Sequence, residues 1–302
     1  MFLRSICRKP VAGSFIRNKS QSSAEYCMES VKQYDYENFA CTILLPNSCR
    51  ACAFAVRSFN VEVARIAEQV SQESIALMRL KFWEEAIEKC LCNNPKIVPK
   101  HPVAIEIYKA HSKHKLSKRY FQRLILSRHE YFKQNTFNKL EDLEKYAEKT
   151  VSSIYYLILE GSNVKNMSAD HAASHLGKAQ GIAQQIRSAS HARRLNFIPI
   201  PLEVLAKNKA TQEDLLRSKS TETLRESVFE VATRSHQHLE KARSLLESVP
   251  SDARRVLLPA IPVRIYLDRL QRVNYDIFHP SLQQRSWKML PQLWLYNVRN
   301  KY

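Results

Sequence analysis

Two closely spaced cysteine pairs are the first residues in this chain with a spacing that could do chemistry. Cys49-x-x-Cys52 has the gap of a zinc knuckle, and Cys90-x-Cys92 would complete a set of four thiolates. The second pair is tighter than the usual gap of two to four residues. Both pairs also fall in or beside helical pattern, where a free cysteine ordinarily serves as a small apolar side chain. Reduced thiols and no metal are expected, and an odd total of seven cysteines without a secretory signal agrees. His171 and His175 stand one helical turn apart, as two ligands would. Ala172 occupies the glutamate position of HExxH, which excludes a metalloprotease and leaves solvated or capping histidines. Lys113, Lys115, Lys118, Arg119 and Arg123, with Tyr120 and Phe121 between them, form a cluster that could meet phosphate. No RNP, zinc-finger or homeodomain pattern accompanies it. A hydrated helix face, or one lying on anionic lipid, is expected, and no nucleic-acid partner.

The elements that must position these residues are helices. From Leu224, apolar residues recur at Val228, Val231, Ala232, Leu239, Ala242, Leu245, Leu246 and Val249, one stripe with charged residues opposite. Similar patterns cover roughly 51–92, 102–133, 138–160 and 168–192, with shorter pieces at 211–218, 252–272 and 290–299. Ser168, followed by Asp170 in the first turn, reads as an N-cap. The chain of 302 residues holds only four glycines, Gly13, Gly161, Gly177 and Gly181, which argues against hairpin-rich folds. It also precludes both GxGxxG and GxxxxGK[ST] phosphate loops. No apolar run reaches the ~18 residues that a bilayer demands. The prediction is an all-α, single helical domain over residues 25–302. Residues 1–24 carry Arg4, Arg8, Lys9, Arg17 and Lys19 with no acid, and their interspersed apolar residues resemble a mitochondrial presequence. Lysines and arginines number 47 against 29 acids, a net charge of +18, so the basic excess outlasts the leader.

Two stretches resemble the squalene/phytoene synthase family of isoprenoid synthases. Leu44-Leu45-Pro46 followed by Arg50-Ala51-Cys52-Ala53-Phe54-Ala55-Val56-Arg57-Ser58-Phe59 matches the helix that leads into the family's first aspartate motif. Gly177-Lys178-Ala179-Gln180-Gly181 through Arg187, with Arg193 and Arg194 ahead of Pro201, matches the second. The resemblance extends over about residues 38–270 and implies an isoprenoid-synthase-like helical domain with a central cavity or its filled remnant. It also implies where the magnesium-binding carboxylates would stand. On the first wall those positions hold Ala64, Arg65 and Glu68; on the second they hold Ser188, His191 and Ala192. Magnesium requires hard oxygen ligands, and Arg65 would set a positive charge beside it. From Ala172 to Leu202 there is no Asp or Glu, so a shift of register supplies none.

In the helix between the motifs, Ser152 and the bulky Tyr155 replace the small residues that leave room for an isoprenoid tail. A pseudoenzyme with no catalytic residues, metal or cofactor is expected. Gly177 and Gly181 are assigned to close helix packing, and Arg187 to a residual anion contact or, without one, to an acceptor on another helix. Longer strings (Phe59-Asn60-Val61-Glu62, Asp170-His171-Ala172-Ala173-Ser174-His175 and Asp276-Ile277-Phe278-His279-Pro280) are similar to the mitochondrial, non-catalytic branch of the family. That resemblance implies an early role in the assembly of NADH:ubiquinone oxidoreductase, respiratory complex I. The partners it implies are complex I subunits or other assembly factors, at the matrix side of the inner membrane with peripheral contact to it. The alternatives are an isoprenoid- or lipid-binding protein and a degenerate prenyl transferase.

Overall fold

A capping box opens the first helix, α1 (Ser23–Tyr34): the Glu25 amide donates to the Ser22 hydroxyl at 3.2 Å and the Ser22 amide to the Glu25 carboxylate at 2.9 Å. The computed structural model describes residues 21–70, 72–132, 134, 136–195 and 197–302, so most of the leader lies outside the described residues. Its last residues do not. Ser23 and Ala24 are helical and the Ser23 hydroxyl donates to Glu106 at 2.5 Å, so ordered packing begins inside the boundary drawn at residue 24.

After α2 (Tyr36–Ile43), Pro46 breaks the chain and α3 (Asn47–Gln69) begins. The single segment read over 51–92 is two helices, because Val70 turns extended and α4 (Glu73–Leu91) starts afresh. The segment over 102–133 also divides, into α5 (Pro102–His114) and α6 (Lys118–Phe132). Lys115 closes α5 in the left-handed region at φ 54°, which a continuing helix cannot accommodate. α7 (Leu140–Ala147) and α8 (Ser153–Gly161) are joined by one π-helical turn, Glu148–Ser152.

That turn bears on α9 (Met167–Ala189), whose small residues face in several directions and make it the central helix. A Cβ on Gly177 would lie 2.6 Å from the backbone of Ser152, and one on Gly181 would lie 2.5 Å from the Ala147 Cβ. Gly177 thus admits the backbone of the π-turn and Gly181 the end of α7 that leads into it, as expected for packing. The N-cap of α9 is Asn166 and not Ser168. The Asn166 side chain accepts from the Ala169 amide at 2.9 Å, and Ser168 stands inside the first turn.

The remaining helices are α10 (Ala192–Leu195), α11 (Leu202–Lys207), α12 (Gln212–Leu216), α13 (Glu222–Ser244), α14 (Ser251–Arg254), α15 (Ala260–Arg272) and α16 (Met289–Val298). α13 lays its apolar stripe, Val228, Val231, Leu239 and Ala242, along α9. The Ser235 hydroxyl donates to the Ala179 carbonyl across that contact at 2.8 Å. Among the described residues there is no strand, only an isolated parallel bridge between Thr136 and Ile198. None of their helices is long and apolar enough to cross a membrane.

Candidate functional site

Helical spacing sets Arg57, Asn60, Ala64 and Glu68 in one row on α3, and Gly181, Gln185 and Ser188 in another on α9. The two rows line a pair of adjoining cavities, closed on the remaining side by α6 and the π-turn. One, of about 70 Å³, is lined by Asp35, Arg57, Asn60, Tyr155, Gln180 and Gln184 among others. The second, of about 120 Å³, is lined by Glu68, Tyr131, Phe132, Ser188 and Phe197, among others. Ala64, Arg128, Tyr146 and Gln185 border both. Sites for small organic ligands usually measure ~300–1,000 Å³. Each space is therefore well below the size of such a site.

Tyr155 is fully buried and its hydroxyl donates to the Gln180 side chain. Arg57, 3% exposed, lies with its guanidinium 5.8 Å from the Tyr155 ring centroid, and its Nε has no hydrogen-bond partner among the described residues. Arg128, 7% exposed, donates to the Leu124 carbonyl at 2.7 Å and to the Asn60 side chain. Among the described residues no carboxylate faces it at ion-pair distance, and burial pulls its pKa down. Burial pushes the Asp35 carboxyl up, opposed by the charge on Arg57 and by the Asn38 amide at 2.9 Å.

The structure brings three of the motif positions, Ala64, Glu68 and Ser188, to the same cavity. His191 sits near them: burial and Arg194 lower its pKa, and the Glu68 charge opposes them. Arg65 lies elsewhere. It is one residue round the helix from Ala64, and its guanidinium stacks 3.5 Å from the Tyr34 ring centroid, so the charge expected at a metal position is spent on an aromatic face. Ala192 is buried in the core and lines neither space. Arg187 pairs with Glu37 on α2 at 3.2 and 3.3 Å and lies 4.4 Å from the Tyr266 ring centroid. Burial lowers its pKa, but Glu37 and Tyr266 outweigh that, and the net shift is upward.

These donors do not fit magnesium. The carboxylates lining the two spaces are Asp35 and Glu68, one in each, with the guanidinium of Arg128 on the shared wall. No group of three His, Cys, Asp or Glu among the described residues could hold a metal ion. The cysteine pairs do not make a site either. Cys49 and Cys52 are buried on α3, Cys90 donates to the Ala104 carbonyl at 3.2 Å, and Cys92 is exposed.

His171 is exposed as expected, but His175 is half-buried and bonds a second histidine instead of capping a helix. Its Nδ1 lies 2.9 Å from Nδ1 of His238, whose Nε2 is 3.3 Å from Glu144; the packing of both α13 and α7 on α9 creates this chain. Burial and the neighbouring His238 push His175 down to about 4. The basic cluster turns its aromatics inward. Tyr120 and Phe121 are buried, Arg119 lies over the Tyr120 ring at 4.5 Å, and Lys118 pairs with Glu88 at 2.7 Å.

Asp35 and Arg128 lie outside every matched string, and Arg57, Asn60 and Gln180 stand in matched strings without an assigned role. A signal for two of them is nevertheless present. Arg57 interrupts the run Ala53-Phe54-Ala55-Val56, and Arg128 continues the buried register of Phe121, Leu124 and Ile125. A charge at an apolar helical position marks a buried polar site.

A profile of the squalene/phytoene synthase family matches residues 31–290. Over 277 residues the chain is 40% identical to the Mus musculus protein named NADH dehydrogenase (ubiquinone) complex I, assembly factor 6, a match covering 92% of this chain and 82% of that one. It is also 40% identical over 289 residues to the Drosophila melanogaster homolog of that factor, covering 94% and 86% respectively. The crystal structure of a dehydrosqualene synthase in complex with ligand shares the fold, with a TM-score of 0.77 at 15% identity over 92% of this chain and 95% of the other.

Proposed function

The chain belongs to the squalene/phytoene synthase family, and from that premise we propose that it keeps the enzymes' fold without their chemistry and serves the assembly of respiratory complex I. The supporting observation is the donor set of the two cavities. Synthases of this kind ionise an allylic diphosphate, and the departing charge needs metal held by facing carboxylates. Here Glu68 faces Ser188 across about 120 Å³, and the cations Arg57 and Arg128 border the adjoining space. The names carried by the mouse and fruit-fly relatives support the assembly role.

On this reading the protein acts in mitochondria, at the matrix side of the inner membrane, early in assembly and without a cofactor. It contacts complex I subunits or other assembly factors, and touches the membrane peripherally. Deleting the gene and separating native respiratory complexes tests it. The expected result is a loss confined to complex I, restored by the wild-type chain. Magnesium-dependent turnover of farnesyl or geranylgeranyl diphosphate by the purified protein would overturn the non-catalytic reading.

A further inference from the structure

α16 is apolar on two opposite sides, and one of them is uncovered. Met289 and Leu293 are buried against Ala40, Cys41, Leu258 and Ile261. Arg264 secures the helix by donating to the Tyr296 hydroxyl at 2.8 Å and to Gln292 at 3.1 Å. On the other side Trp287, Leu290, Trp294 and Val298 follow one another at steps of three and four, all more than half exposed; Trp287 is 79% exposed and Trp294 63%. With its inner face already packed, α16 cannot bury this stripe by rotating.

The charges beside the stripe have one sign. Residues 277–302 contain Arg285, Lys288, Arg299 and Lys301 and no acid. Lys288, Arg299 and Lys301 are exposed and bracket the apolar stripe at both ends. Tryptophan joins an apolar ring to one polar N–H, which suits it to the headgroup boundary. Lysines are depleted in protein–protein interfaces, whereas a basic rim around Trp and Leu matches an anionic lipid surface. The helix has 10 residues, so at 1.5 Å per residue it is ~15 Å long, half of a ~30 Å hydrocarbon core. It can lie in the interface and cannot span it.

We propose that Trp287 and α16 form a membrane-docking surface that inserts its Trp–Leu–Trp–Val stripe at the headgroup boundary of an anionic phospholipid bilayer. This surface locates the peripheral membrane contact of the functional reading, and rests on that reading for the choice of membrane.

The chain carries its own probe. Of its three tryptophans, Trp83 is buried, so a change in emission on binding reports Trp287 and Trp294. The purified full chain is mixed with vesicles of phosphatidylcholine alone, or of equal parts phosphatidylcholine and phosphatidylglycerol, and with the same vesicles carrying brominated acyl chains. Expected results are a blue shift and bromine quenching with the anionic vesicles, both weaker by at least about tenfold in affinity with Lys288→Gln, Arg299→Gln and Lys301→Gln combined. Trp287→Ser with Trp294→Ser should weaken co-sedimentation by a similar factor while leaving the melting temperature unchanged, since both side chains are exposed. Emission insensitive to anionic vesicles overturns the proposal. Quenching by lipid that is absent while the Trp variant fails to co-purify a matrix protein also overturns it, and makes the stripe a protein interface. No respiratory subunit is present in the vesicle assay, so its failure leaves the assembly reading untouched. Loss of complex I is scored separately in the deletion strain.

Discussion

Arg128 is a cation that no carboxylate among the described residues faces, and the protein tolerates it by hydrogen-bonding the guanidinium to Leu124 and Asn60. Taking such a charge from water costs several kcal/mol, which apolar residues of similar volume avoid. Arg128→Met is therefore expected to stabilise the chain by ~1 kcal/mol, seen as a higher melting temperature. If the buried cation serves assembly, complementation by the same variant should fall although the fold is firmer. Arg187 behaves differently, because Glu37 and the Tyr266 ring both meet it; Arg187→Met should lower stability modestly, by ~1 kcal/mol at this partly exposed pair.

The histidine chain makes a pH prediction. His175 takes a proton only near pH 4 in the folded state, and near its ordinary value of 6.5 when unfolded. Between those values the unfolded chain binds the extra proton, so stability falls as pH drops from about 6.5 toward 4. Denaturation midpoints measured across that window should decline, and His175→Asn should flatten the decline.

At the scale of elements, the π-turn and α9 depend on one another. A glycine within a helix is normally poorer than alanine by ~0.5–1 kcal/mol, so Gly→Ala at an exposed helical site stabilises. At Gly177 the added carbon would meet the Ser152 backbone at 2.6 Å, and backbone does not yield cheaply. Gly177→Ala should consequently destabilise by ~1–3 kcal/mol, and Gly181→Leu by at least as much, as overpacking does. Thermal melts give the sign directly. A rise in melting temperature at Gly177 would mean that the contact is looser than its geometry.

For the molecule as a whole, the question is whether synthase chemistry lies a few substitutions away. Restoring aspartate at Ala64, Ser188 and Ala192 should give no magnesium-dependent turnover. Ala192 is buried outside both cavities, so an aspartate there costs stability and adds no ligand. Arg57 and Arg128 would still oppose metal binding, and about 70 and 120 Å³ would still exclude an isoprenoid tail. Diphosphate release by the purified triple variant is the measurement, and turnover would show that the remnant reopens readily.

The sequence by itself determined the all-helical architecture, because amphipathic spacing and four glycines leave few alternatives. It also determined that Gly177 and Gly181 serve packing, since two small residues one turn apart admit a close neighbour. The positions of Ala64, Glu68 and Ser188 around one space followed from the family's motifs together with helical periodicity. Tertiary structure decided everything that depends on which helix lies opposite. Arg65 stacks on Tyr34 because α1 passes on that side, and His175 meets His238 because α13 crosses there. Arg187 finds Glu37 although 150 residues separate them. Local pattern reports which face of a helix is buried; it does not report what that face will meet, because partners are chosen by long-range packing.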